Sequence, residues 1–109
     1  EIDILEAWGQ NTHTADFFYH RAQGSRVASQ AQVDVTAWHT YALDWTPDGL
    51  TWYVDGRALL VTPDPPHEPM YLVISLAVDG GPIDQPLPSS GALDVAQVQI
   101  SAPRPSPSS

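Results

Sequence analysis

A chain of 109 residues holds one domain at most, with room for a modest core. Its 13 acidic residues against 4 basic ones give a net charge of −9, which argues against electrostatic binding of nucleic acid. It has no cysteine, hence no disulfide framework and no thiolate metal site, and no apolar run reaches the ~18 residues that a membrane-spanning helix needs.

Glu1-Ile2-Asp3-Ile4-Leu5-Glu6 opens the chain with carboxylates separated by β-branched and aliphatic residues, the composition of a strand. Side chains alternate along a strand, so Glu1 and Asp3 share a face while Glu6 has the wrong parity. An unpaired carboxylate in the opposite layer would cost several kcal/mol or be neutralised. A β-bulge at Ile4 or Leu5 adds the residue that resets the alternation and puts all three carboxylates on one surface.

Strands and turns account for the rest. The first strand is expected over 1–8, with a turn at Gly9-Gln10-Asn11-Thr12. Ala15 to Arg21 is a second strand, with Phe17, Tyr19 and Arg21 on one face and Phe18 and His20 on the other. Ala22 to Ser29 reads as polar loop and Gln30 to Val35 as a short strand. Trp38 to Trp45 and Leu50 to Asp55 form a hairpin about Thr46-Pro47-Asp48-Gly49, whose Pro and Gly suit a type I turn. Asp55-Gly56 starts a tighter hairpin leading to Ala58–Thr62, and Pro63-Asp64-Pro65-Pro66 excludes a central strand. Met70 to Val78, the longest apolar run, is expected to be a buried strand. Asp79 to Gly91 is a long Gly/Pro loop of the kind that borders binding sites. Leu93 to Ile100 is expected to close the domain, and residues 102–109 form a Pro/Ser-rich tail or linker. Many strands and no helical periodicity predict an all-β antiparallel sandwich.

Carboxylates packed closely on one face push their pKa values apart, so that one can stay ionised beside a protonated neighbour. A retaining glycosidase needs such a pair, a nucleophile and a general acid/base about 5–5.5 Å apart. An acidic edge strand that blocks aggregation would show the same bare spacing; the apolar spacers and the aromatic-rich strands that follow favour the catalytic reading.

The same six residues resemble the catalytic signature of glycoside hydrolase family 16 in its bulged, laminarinase-like form. His39 to Gly49 followed by Leu50 to Gly56 is similar to the paired strands of that family. Pro69 to Val78 is similar to its late core strand, and Leu93 to Val98 to its closing strand. The likeness covers residues 1–101 and implies a jelly-roll, concanavalin-like sandwich. Because such domains are more than twice as long, it further implies an incomplete, C-terminal half, inactive when isolated. It implies a secreted enzyme, extracellular or periplasmic, monomeric when complete, acting on a β-linked polysaccharide. A β-1,3 or mixed β-1,3-1,4 glucan is the expected substrate. By position Glu1 matches the nucleophile, Asp3 the assisting carboxyl and Glu6 the general acid/base. No cofactor is required. Asp94 is similar to a family Asp that binds a structural calcium, although one carboxylate supplies too few of the six to eight oxygens that calcium takes.

Trp8 either stacks on a sugar ring at the cleft or packs at a strand end. His20, which resembles a residue lining the family's cleft, either hydrogen-bonds a sugar hydroxyl or stands as an ordinary strand histidine. Ser75, expected to contact substrate in the cleft, occupies a place where many members have Asn, which weakens one polar contact there, and the segment 79–84 lacks the Trp that often follows its Gly pair. Trp45, Trp52 and Tyr53 are expected in the core, with one able to reach the cleft, and His13, His39 and His67 carry no site reading. The alternative to an enzyme is a non-catalytic carbohydrate-binding sandwich, which would have no need of the Glu1, Asp3, Glu6 set.

Overall fold

A computed structural model describes residues 1–21, 23–77 and 90–102. The chain divides into two units, Glu1–Pro69 and Met70–Ser109. The described residues contain strands and no helix, and none of them forms a helix long and apolar enough to cross a membrane.

The first unit is two antiparallel three-stranded sheets, β1 (Ile2–Trp8), β2 (Asn11–His20) and β3 (Arg26–Gln32) in one, and β4 (Tyr41–Thr46), β5 (Gly49–Val54) and β6 (Arg57–Thr62) in the other. Each sheet is a meander, so every connection is a hairpin. Ala15, Phe17 and Tyr19 of β2 meet Leu50, Trp52 and Val54 of β5 in a buried core, with Ile2, Leu5, Val27 and Leu43 packed around it. Alternation along β2 and β5 produces this: every second residue faces the other sheet. Phe18 and His20 lie on the opposite face of β2, as its sequence pattern predicts.

Turn chemistry sets the register of the second sheet. Asp55 and Gly56 both adopt positive φ, 51° and 80°, the pair of left-handed residues that a type I′ hairpin needs. Pro47 and Asp48 turn β4 into β5, and a Cβ on Gly49 would stand 2.6 Å from the Thr62 carbonyl oxygen. Only glycine admits β6 that close.

Some expectations need correction. β2 begins at Asn11 rather than Ala15, because the turn after β1 uses only Gly9 and Gln10. β3 spans Arg26–Gln32, not Gln30–Val35: pairing with β2 aligns Val27 with Tyr19 and Ala31 with Ala15, so these small apolar residues cover the core edge. Val33 and Val35 still run beside β2, donating backbone hydrogen bonds to His13 and Thr12 carbonyls.

The larger correction concerns the second unit. Residues 70–77 and 93–100 form no strand, and their apolar side chains, Tyr71, Leu76 and Ile100 among them, are exposed. A strand exists by virtue of its hydrogen-bonded neighbours, and a run apolar on both faces needs a layer on each side. The described residues supply no ladder partner to either run. The expected loop over 79–91 and the tail over 102–109 lie almost entirely outside the described residues.

Candidate active site

The parity conflict in β1 is resolved by a bulge. Asp3 pairs with Phe18 and Glu6 with Asp16, so three steps along β1 oppose two along β2. The extra residue lies within Ile4-Leu5, as parity predicts. Residues paired across an antiparallel ladder share a face. Phe18 and Asp16 belong to the face of β2 opposite the buried Ala15, Phe17 and Tyr19, and they carry Asp3 and Glu6 there with them. Glu1 joins the same face through His20, whose backbone N–H donates to the Glu1 carbonyl at 2.8 Å. On the other face Ile2 and Leu5, also three apart, pack against the core. One inserted residue thus aims three carboxylates outward and both aliphatic side chains inward.

The bulge is anchored from the second sheet. The Trp52 indole, fully buried in the core, donates its Nε1–H to the Asp3 backbone carbonyl at 3.0 Å. A bulge leaves backbone groups without ladder partners, and Trp52 satisfies one of them at the residue where the register breaks. The core position of Trp52 agrees with the expectation from sequence. Its hydrogen bond does not announce itself there, because no periodicity marks a contact across 49 residues.

Glu1, Asp3 and His20 converge, each with a ligand atom within 4.8 Å of the others. His20 Nε2 lies 3.2 Å from Asp3 Oδ2, within hydrogen-bonding distance, and 3.7 Å from Glu1 Oε2. The imidazole stacks on Phe18 at 5.7 Å between ring centroids, and the Arg26 guanidinium covers the Phe18 ring at 5.3 Å. His20 is therefore a close neighbour of both carboxylates. Glu6 stands near enough for its charge to act on Asp3.

The two converging carboxyls titrate in opposite directions. Burial, then the hydrogen bond with Glu1 and the charge of Glu1, push Asp3 up to about 6, against the opposing hydrogen bond of His20. The hydrogen bond from Asp3, with help from His20 and the terminal ammonium, holds Glu1 below its ordinary value against a smaller effect of burial. A protonated Asp3 donating to an ionised Glu1 accounts for both shifts.

The remaining candidates are more dispersed. Trp8 ends β1 and is 42% exposed, so it does not pack at the strand end as a core residue. Ser75 and Asp94 belong to the second unit and are exposed there. Asp94 joins no group of three ligating side chains among the described residues. Segment 79–84 lies outside the described residues. A separate cluster carries no sign in the sequence: His39 sets Nδ1 2.6 Å from Asp55 Oδ2 and Nε2 3.0 Å from the Asp34 carbonyl oxygen.

The bulged strand arrays three carboxylates on the outer face of its sheet, side chains of the kind from which acid/base chemistry is built. Comparison with known proteins narrows the class. The model for glycosyl hydrolases family 16 matches residues 1–97, and the chain belongs to that family. It is 36% identical over 86 residues to the endo-1,3-1,4-beta-glycanase ExsH of Rhizobium meliloti (strain 1021), covering 73% of this chain and 18% of that protein. It is 33% identical over 108 residues to EglC, an endo-1,3-1,4-beta-glycanase of the same organism, covering 92% of this chain and 22% of that protein. A beta-glucanase of Bacillus subtilis (strain 168) is 38% identical over 60 residues, 52% of this chain and 24% of that protein. The chain thus spans about a fifth of the length of its Rhizobium relatives. No solved structure matches it.

Proposed function

We propose that the protein is a retaining endo-β-glucanase acting on a β-1,3 or mixed β-1,3-1,4 glucan. Glu1 attacks the anomeric carbon while Glu6 protonates the departing glycosidic oxygen. The resulting ester between Glu1 and the sugar is then hydrolysed by a water that Glu6 deprotonates. Asp3 holds a proton against Glu1, which keeps the nucleophile ionised and oriented, and His20 steadies Asp3 from its other side. The reaction needs no cofactor. The enzyme works as a monomer outside the cytoplasm, where a glucan polymer is met.

The bulge between Asp3 and Glu6 carries this reading. A binding surface gains nothing from an irregularity that gathers carboxylates on one face against their mutual repulsion, whereas a two-carboxylate hydrolase needs them together there. The names of the relatives support the glucan, and the shared 1,3-1,4 linkage in two of them supports the linkage.

The test is release of reducing ends from laminarin and lichenan by the full-length protein, with the anomer of the first product followed by NMR. The β-anomer is expected first. An initial α-anomer would refute retention, and no release from either glucan would refute the activity. Glu1→Gln should lower turnover by at least ~10³-fold, because no other group on this face is placed to form the glycosyl ester.

A further inference from the structure

We propose that Glu1, Asp3 and His20 together bind one borderline-soft divalent cation, Zn2+ in the first instance, and that occupancy blocks the chemistry proposed above. Binding follows from the arrangement of ligand atoms alone; only the block rests on reading Glu1 as the nucleophile.

Zinc takes carboxylate oxygen and imidazole nitrogen at about 2.0–2.2 Å in a tetrahedron, whose edges are then roughly 3.3–3.6 Å. Here the nitrogen-to-oxygen edges are 3.2 Å to Asp3 and 3.7 Å to Glu1, on either side of that range. The imidazole nitrogen thus stands within tenths of an ångström of the spacing an ion needs from each carboxylate oxygen, and all three donor atoms lie within 4.8 Å of one another. Two carboxylates and a neutral imidazole match the ion's double charge. A single nitrogen among three ligands disfavours calcium and magnesium, which take six or more oxygens, and suits zinc or copper.

The site is built in advance. The backbone bond from His20 to the Glu1 carbonyl fixes the two strands against each other. Phe18 stacked on the imidazole, itself covered by Arg26, fixes the ring plane. Such support around a ligand is worth 10–100-fold in affinity at known metal sites. The fourth position faces outward, since the Glu1 side chain is 67% exposed and that of Asp3 only 18%. Water or a sugar hydroxyl would complete the tetrahedron. An ion seated there takes the Glu1 lone pair that attack on the anomeric carbon requires.

The experiment titrates the full-length protein with ZnCl2 by calorimetry, and with Co2+ while recording the visible bands of a four-coordinate ion. One zinc per protein is expected, with cobalt spectra of low coordination number. His20→Gln, which keeps a side-chain donor towards Asp3 and is no zinc ligand, should weaken binding by at least ~10-fold. Glu1→Gln, at an exposed side chain unimportant to folding, should do the same. Undiminished affinity in both variants, or no saturable site, would overturn the proposal. On laminarin, zinc should inhibit with a constant equal to its calorimetric dissociation constant. Stoichiometric binding through these residues beside undisturbed turnover would overturn the block, and with it the role of Glu1. A protein that binds zinc here yet never hydrolyses glucan would sustain the site and overturn only the enzymatic reading.

Discussion

Trp52 joins the core to the site, and its replacement by Phe separates what each owes to it. The indole is fully buried and donates to the Asp3 carbonyl at the bulge. Trp52→Phe removes a ring's worth of volume, roughly 40 Å3, and at ~24 cal/mol per Å3 of residual cavity this costs about 1 kcal/mol. It also leaves the Asp3 carbonyl without its donor, for about 1–3 kcal/mol. The expected loss of stability is therefore about 2–4 kcal/mol, read from urea unfolding of the full-length protein. Activity should fall further than stability requires, because the carbonyl that moves belongs to the residue bonding Glu1. A drop of ~10-fold or more in kcat, with KM little changed, is expected well below the unfolding midpoint. Phe17→Leu serves as the comparison: it opens the same core on β2, costs about 1–3 kcal/mol, and touches nothing at the bulge. If Trp52→Phe lost under about 0.5 kcal/mol, or matched Phe17→Leu in kcat, the bulge would not depend on that hydrogen bond.

Other outcomes follow from single residues. Gly49→Ala should destabilise by about 1–3 kcal/mol, since the new Cβ meets the Thr62 carbonyl, a backbone atom; Gly9→Ala, with open space around it, should be neutral, and equal melting temperatures for the two would refute the close approach. Glu6→Ala should cut polysaccharide hydrolysis more than that of aryl glycosides with good leaving groups, with partial rescue by azide; normal activity on laminarin would remove Glu6 from the acid/base role. The His39 clasp should show in melting temperatures against pH. Its hydrogen bond to Asp55 raises the imidazole pKa, so that share of stability is complete below the ordinary 6.5 and is lost as pH rises through the raised folded value. Asp55, held down first by the Thr40 backbone N–H, contributes above the ordinary 3.8 and fades as pH falls through its lowered value. Wild type and His39→Gln should therefore differ most between pH 3.8 and 6.5 and less above it; a constant gap up to pH 9 would refute the imidazolium. The isolated 109-residue chain should aggregate and hydrolyse no glucan, given exposed Tyr71 at 88% and Ile100 at 79%; a monodisperse active monomer would contradict this.

What was legible in the sequence was local. Alternation in β2 separates Phe17 and Tyr19 from Phe18 and His20, the two faces the structure shows, and Asp55-Gly56 predicts a turn whose two left-handed residues the backbone adopts. The parity of Glu6 against Asp3 required an irregularity between them, and the ladder supplies it. Each of these is a rule about a few neighbouring residues, so a string of letters suffices to apply it. The misjudged segments depend on partners. Arg26 to Ser29 looks like polar loop until β2 lies beside it, when Val27 joins Ala31 in a core edge. Residues 70–77 look like a buried strand, and apolar content marks them as wanting burial, but hydrogen-bonded neighbours decide whether a strand forms.

The candidate site divides along the same line. Glu1, Asp3 and Glu6 are close in sequence, and their grouping needs only strand geometry and one bulge. Their electrostatics come from elsewhere in the chain. His20, 17 residues from Asp3, opposes the rise of the Asp3 pKa and helps to lower that of Glu1. Trp52, 49 residues away, holds the carbonyl at the register break. A regular hairpin would give His20 the same register with Glu1 and would still turn Glu6 inward; a bulge without Trp52 would leave a backbone acceptor bare beside the reacting groups. The motif therefore states which side chains are available, and the second strand and the second sheet decide the charge and position in which they are presented. That is why substitutions at Trp52 and His20 discriminate the proposed mechanism more sharply than deletion of the carboxylates themselves. Loss of a carboxylate abolishes turnover under any catalytic reading, whereas a displaced bulge or a freed Asp3 alters rate and pH dependence only if these residues act through the geometry described.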